Sequence, residues 1–173
     1  SCEYFDCHID ITIGTLSKAI GSEGGFVCAS QEIIDYLKNK ARSFIFSTAL
    51  SPAVISGAIK SLEIIENRPQ LVNKLSFNIN YLCEGLRNIG FNVNSEGSII
   101  PILIGDEKKA VEFSKCLLEE GIYIPAIRYP TVKKGEAILR LTLMASHDVE
   151  DMDYVLKKLK EIKLKMDRKW SLG

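Results

Sequence analysis

Apolar residues first alternate with polar ones over residues 9–13, IDITI, which predicts a short strand ending at Gly14. A second apolar run, Gly25 to Ala29, predicts another strand, and Ser30 stands where a hydroxyl caps a helix formed by QEIIDYLKNKA. After the aromatic stretch SFIFSTALSP, Pro52 opens a helix to Glu66 that is apolar on most faces, a pattern that calls for burial against other helices or a partner. Asn67-Arg68-Pro69 breaks the chain, and the amphipathic run QLVNKLSFNINYLCEGLRNIG then stops at Gly90. Beyond it the pattern predicts strands at Phe91–Val93 and Ile99–Ile104, a helix at Glu107–Glu119, strands at Ile122–Ile124 and Ile138–Leu143, and a last helix from about Asp148. Strands interleaved with helices make an α/β chain. The break places a leading α/β piece at residues 1–66 and a compact α/β domain at residues 67–173.

Composition narrows the class. At 46% hydrophobic and 25% charged, 173 residues are enough for a real core. Twenty-two basic residues balance 22 acidic ones, so no global field draws the chain to nucleic acid. The basic tail KKLKEIKLKMDRK has apolar residues at helical spacing, which makes it the solvated face of a packed helix. No apolar run approaches the roughly 20 residues of a membrane span, and SCEYFDCHIDI has neither a basic nor an apolar leader region; a cytoplasmic chain is expected. Five scattered cysteines point to reduced thiols. Cys2, Cys7 and His8 lack a second pair of ligands, and no metal site is expected.

The candidate chemistry lies in TLSKAIGSEGG. Lys18 follows a strand, with Thr15 three residues before it, Ser17 beside it, and Gly21, Gly24 and Gly25 leaving the backbone open. An amine flanked by hydroxyls suits an aldehyde and a phosphate. Local chemistry alone favours an exposed loop lysine, because the GxxxxGK[ST] order of a phosphate-binding loop is absent.

Three separated segments, DITIGTLSKAIGSEGGFVCAS, ARSFIFSTALSP and GIYIPAIRYPTVKKGEAILRLTLMASH, occur in an order that resembles the α-oxoamine synthases, pyridoxal-phosphate (PLP) enzymes of fold type I. The resemblance covers essentially the whole chain. It implies a PLP-dependent acyltransferase that condenses an amino acid with an acyl-CoA or acyl carrier protein thioester, with loss of CO2, and that works as a homodimer. It assigns Lys18 as the residue that holds the cofactor covalently and moves protons, and Thr15 to the cofactor phosphate. Ser47 and Thr48 match a segment that reaches the neighbouring subunit's cofactor. Arg140 matches the residue that grips the amino-acid carboxylate, a task suited to a planar fork of donors. Thr131 matches an acyl-substrate position, with Arg128 and Tyr129 beside it, while Ser17 shapes the turn and His147 is structural.

Subunits of that family are about twice this length. The half before the lysine strand carries the aspartate that pairs with the pyridinium nitrogen, a stacking histidine and a glycine-containing phosphate loop, and His8 lies too near Lys18 to be that histidine. The resemblance therefore implies the C-terminal part of such an enzyme: residues 1–66 as the end of the large PLP domain and 67–173 as the small domain, inactive by themselves.

Overall fold

The structure is a computed structural model that describes residues 6–95 and 97–171; Cys2, of the metal trio considered above, lies outside them. The chain divides into two compact units, Ser1–Arg68 and Pro69–Gly173.

In the first unit, β1 (Ile11–Thr15) pairs antiparallel with β2 (Gly25–Ala29), with Ile11 opposite Ala29 and Thr15 opposite Gly25. The strand runs through Gly14 rather than ending there. Phe26 is the cross-strand partner of Gly14, and its ring lies over the glycine so closely that a Cβ would fall 2.3 Å from Phe26 Cζ. The aromatic ring covers the backbone that the glycine leaves bare. Ser30 precedes α1 (Gln31–Lys40) as expected, but its side chain makes no capping bond. The aromatic stretch contains an unexpected short helix, α2 (Arg42–Ile45).

Helix α3 (Pro52–Asn67) starts as the sequence indicates, with Pro52 in the first turn and Ser51 accepting from the Val54 N–H at 3.4 Å. Of the two expected covers for its apolar face, other helices or a partner, the first is not found among the described residues of this unit. Only Ala58 is buried, while Ile55, Ile59, Leu62 and Ile65 are exposed, so no other helix of this unit covers its apolar face.

The second unit is a three-stranded antiparallel sheet, ordered β3 (Ile99–Gly105), β5 (Ala137–Thr142), β4 (Ala126–Ile127). Helices α4 (Pro69–Asn88), α5 (Glu107–Glu119) and α6 (Val149–Ser171) pack against it, and the connecting segments add Phe91, Val93, Ile122, Ile124 and Leu143 to the core. Ile100, Ile102, Leu139 and Leu141 meet Leu82, Leu86, Phe113, Leu117, Met152 and Leu159 there, each side chain adding about 1.5–3 kcal/mol on burial. The alternate positions Ile99, Pro101, Leu103, Arg140 and Thr142 are exposed on the opposite face.

Two expected strands do not form. Phe91 and Val93 are buried on either side of an exposed Asn92, but the Phe91 N–H donates to Leu86 O at 3.0 Å and Val93 O accepts from Arg87 at 3.4 Å. Ile122 and Ile124 are likewise buried, with the Ile122 N–H donating to Leu117 O at 2.9 Å and Ile124 O accepting from Ser114 Oγ at 2.7 Å. In both places the alternation records burial against a helix, and the backbone bonds go to that helix. Sheet pairing starts only at Ala126.

Candidate functional site

Residues 16–24, between β1 and β2, form a loop closed on itself. The Leu16 N–H donates to Gly24 O, Ser22 N–H to Leu16 O and Gly21 N–H to Lys18 O, each at 2.9 Å. Gly21 (φ +66°) and Gly24 (φ +103°) adopt the left-handed conformations that make so tight a closure possible, and a Cβ on Gly24 would lie 2.7 Å from Leu50 Cδ1. Ser22 Oγ donates to Val54 O at 2.8 Å, tying the loop to the first turn of α3.

This frame holds Lys18, exposed, at the head of a chain of hydroxyls. Its Nζ donates to Ser17 Oγ at 2.9 Å, Ser17 Oγ lies 2.9 Å from Thr15 Oγ1, and Thr15 Oγ1 donates to Gly24 O at 3.4 Å. With Thr15 donating onward to the carbonyl, the Ser17 hydroxyl donates to Thr15, and every link runs away from the amine. Thr15 Oγ1 also accepts from the Ser17 N–H at 3.2 Å. Ser17 is thus the direct partner of Lys18, a role the sequence assigned only to shaping the turn; adjacency was its one signal. No carboxylate among the described residues pairs with the amine. An accessible amine beside two hydroxyls, on an unobstructed loop, fits the aldehyde and phosphate of PLP.

Ser47 and Thr48 lie between α2 and α3, both exposed. Ser47 Oγ donates to Ser43 O and ends α2, and neither residue hydrogen-bonds to Thr15, Ser17 or Lys18. Cys7 and His8 are exposed, His8 Nε2 stands 3.6 Å from Asp10, and no metal-ligating cluster is found among the described residues.

In the second unit, β5 turns Arg140 away from its buried neighbours Leu139 and Leu141, as their alternation predicts. Its backbone N–H donates to Pro125 O at 2.9 Å, and its side chain forms no ion pair with another described residue. Arg140 borders a groove of about 650 Å³ with Tyr123, Met144, His147 and Tyr154. Asn78, only 1% exposed, pins the turn after β5: its Nδ2 donates to Met144 O at 3.1 Å and to His147 O at 2.9 Å. His147 Nδ1 accepts from the Met144 N–H at 3.3 Å, so the ring serves the turn. Tyr81 ties α4 to α6 by donating to Asp153 at 2.6 Å, a bond that raises its phenol above the usual range. Thr131 is exposed in the turn after β4, where its N–H donates to Arg128 O at 3.0 Å. It does not line the Arg140 groove, and Arg128 borders a separate recess.

Residues 3–159 match the aminotransferase class I and II family. The chain belongs to that family. A relative named 8-amino-7-oxononanoate synthase, from Lysinibacillus sphaericus, is 49% identical over 166 residues, which is 94% of this chain and 42% of that protein. A protein from Acetivibrio thermocellus with the same name, marked putative, is 49% identical over 91% of this chain and 41% of its own length.

Among solved structures, Sphingomonas wittichii serine palmitoyltransferase superposes with a TM-score of 0.84 at 28% identity, over 89% of this chain and 39% of that one. The 8-amino-7-oxononanoate synthase of Francisella tularensis gives 0.77 at 28% identity, over 91% and 46%. The α/β fold is therefore that of the fold type I PLP transferases, and the resemblance to α-oxoamine synthases holds. The chain spans about two fifths of the length of the curated relatives it matches. No helix among the described residues is long and apolar enough to cross a membrane.

Proposed function

We propose that this chain is the lysine-bearing part of an 8-amino-7-oxononanoate synthase, which converts L-alanine and a pimeloyl thioester into 8-amino-7-oxononanoate, CO2 and the free carrier thiol. The observation that carries the reading is the Lys18–Ser17–Thr15 chain of hydrogen bonds, found in a sequence 49% identical to relatives of that name. On this reading residues 1–66 end the large cofactor domain and 67–173 are the small domain of a cytoplasmic homodimer.

PLP, when bound, supplies an aldehyde for a lysine amine and a ring that delocalises negative charge from the substrate's α-carbon. Lys18 Nζ would hold the group covalently, and once free its amine is the base that takes the α-proton. Ser17 Oγ, 2.9 Å from Nζ, orients that amine and accepts from it. Thr15 offers its hydroxyl to the phosphate, and Ser47 and Thr48 do so for the partner subunit. Arg140 engages the alanine carboxylate through two parallel N–H donors, which fixes the substrate's orientation before any bond breaks. Thr131 contacts the acyl thioester. A chain with 42% of a relative's length holds these gripping groups and is by itself inactive.

The test uses the full-length protein. Lys18→Ala should abolish turnover and remove the covalent PLP adduct seen by mass spectrometry after borohydride reduction. Its circular dichroism should be unchanged, since an exposed side chain is lost and no core volume. Retention of more than a small fraction of turnover sinks the assignment of Lys18. Turnover with glycine and acetyl-CoA in place of alanine and the pimeloyl thioester would replace the substrate assignment by that of a glycine C-acetyltransferase.

A further inference from the structure

One face of α5 carries Glu107, Lys108, Val111, Glu112 and Lys115, and with Arg128 it borders a recess of about 420 Å³ in the second unit. Three cations line it, and none of their side chains makes an ion pair or hydrogen bond with another described residue. Their neighbours are differently placed: Lys158 pairs with Glu120 and Glu161, Lys163 donates to Ile89 O and Gly90 O, and Lys109 lies over the Trp170 ring. Of the two carboxylates in the recess, Glu112 is already engaged. The Lys169 hydrogen bond holds its carboxyl below the usual range, so it stays ionised and its charge is matched. Glu107 alone remains against Lys108, Lys115 and Arg128.

In a chain whose basic and acidic residues balance at 22 each, this is a local surplus of positive charge. Like charges around one concavity repel unless an anion lies between them. Val111 gives the recess an apolar wall, and its volume is in the range of small-molecule sites. Arg128 also opens the turn that holds Thr131, whose N–H donates to Arg128 O.

We infer that this recess binds the phosphate groups at the nucleotide end of a coenzyme A thioester, with Lys108, Lys115 and Arg128 as the counter-charges and Val111 against the purine. The inference rests on the reading of Thr131 as a contact of the acyl thioester. Concavity favours a compact polyphosphate over the broad acidic surface of a carrier protein.

The experiment compares the full-length protein with its Lys108→Ala/Lys115→Ala double variant. Both lysines are exposed, and circular dichroism checks that the fold is kept. Calorimetric titration with free coenzyme A should show binding weakened roughly 5- to 30-fold in the variant, as two exposed charge contacts are lost. Pantetheine, which carries no phosphate, should bind both proteins equally. In turnover, KM for pimeloyl-CoA should rise by a similar factor, while kcat and KM for alanine stay unchanged.

Equal coenzyme A affinity in the two proteins overturns the proposal. So does an equal loss with pantetheine, or a loss seen only with an acyl carrier protein thioester. Lysine-dependent binding of coenzyme A without any turnover would support the recess and refute the function proposed above. Turnover that is indifferent to the lysines would do the reverse.

Discussion

Replacing Asn78 by alanine should cost the second unit far more than its size suggests. Asn78 is the one polar residue in the buried core among the described residues, and its amide donates to two main-chain carbonyls, Met144 O and His147 O. Each such bond is worth about 1 kcal/mol net, and a carbonyl left short of a donor adds up to about 1–3 kcal/mol where water cannot reach it. Met144 is exposed and His147 half-buried, so water will satisfy part of that loss. A total of about 2–3 kcal/mol follows, or roughly 8–20 °C in Tm for a unit of this size.

The assay is thermal unfolding of this chain followed by its single tryptophan, Trp170, on α6 in the same unit. Asn67→Ala is the control. Asn67 also donates to a backbone carbonyl, Glu63 O at 2.7 Å, but it is exposed, and its loss should stay within about 0.5 kcal/mol. If the two variants melt together, the turn between β5 and α6 does not depend on Asn78, and the reasoning from burial fails.

In the full-length enzyme, Arg140→Ala should lose roughly 10- to 100-fold in kcat/KM for the amino acid, and Arg140→Lys less, because lysine keeps the charge without the fork. An unchanged alanine affinity in a spectroscopic titration would return Arg140 to a surface role. Gly14→Ala places a Cβ 2.3 Å from Phe26 Cζ and should loosen the β1–β2 hairpin by about 1 kcal/mol, read as faster amide exchange in both strands. Combined with Phe26→Ala, the two losses should sum to less than their separate values. The Glu112–Lys169 pair should make α6 sensitive at both pH extremes. The carboxyl is held below its ordinary 4.5, so its contribution is complete above that pH and disappears as the pH falls through the lowered value. The ammonium is held above 10.5, so its contribution is complete below that pH and is lost on further rise. Trp170 fluorescence across the titration should show both edges, and Lys169→Met should remove them.

Helices were the most legible part of the chain. Glu107–Glu119 has the expected limits because Asp106 caps it, accepting from the Lys109 N–H at 2.8 Å, and its apolar residues recur at helical spacing. The alternation around Arg140 also read true, since both flanking leucines are buried. Phe91–Val93 and Ile122–Ile124 misled for one shared reason. Period-two burial is as compatible with a chain laid along a helix as with a strand in a ladder, and only the partner of the backbone distinguishes them. Gly14 reads as a terminator in the sequence because Phe26, which covers it, is a cross-strand neighbour with no mark at the glycine itself. Asn78 carried no signal at all, because its partners lie 66 and 69 residues further on. The recess beside Arg128 was hidden in the same way: one of its cations comes from a turn after β4 and two from α5.

The setting of Lys18 separates two requirements that a PLP enzyme must meet together. Capturing an aldehyde needs an amine that ligand can reach, hydroxyls to orient it, and no carboxylate holding it in a salt bridge. The loop supplies all three: an exposed Nζ, Ser17 and Thr15 in line, and a neutral first partner. Stabilising charge on the substrate's α-carbon needs something else, an acid paired with the ring nitrogen, and the resemblance assigns that aspartate to sequence preceding the lysine strand. Neither β1 nor the loop after it supplies it; the acid in that segment, Glu23, is exposed and follows the lysine. On the proposed function, grip and electron sink are therefore encoded in different stretches of the enzyme, so covalent capture of PLP by Lys18 and turnover are expected to be separable properties.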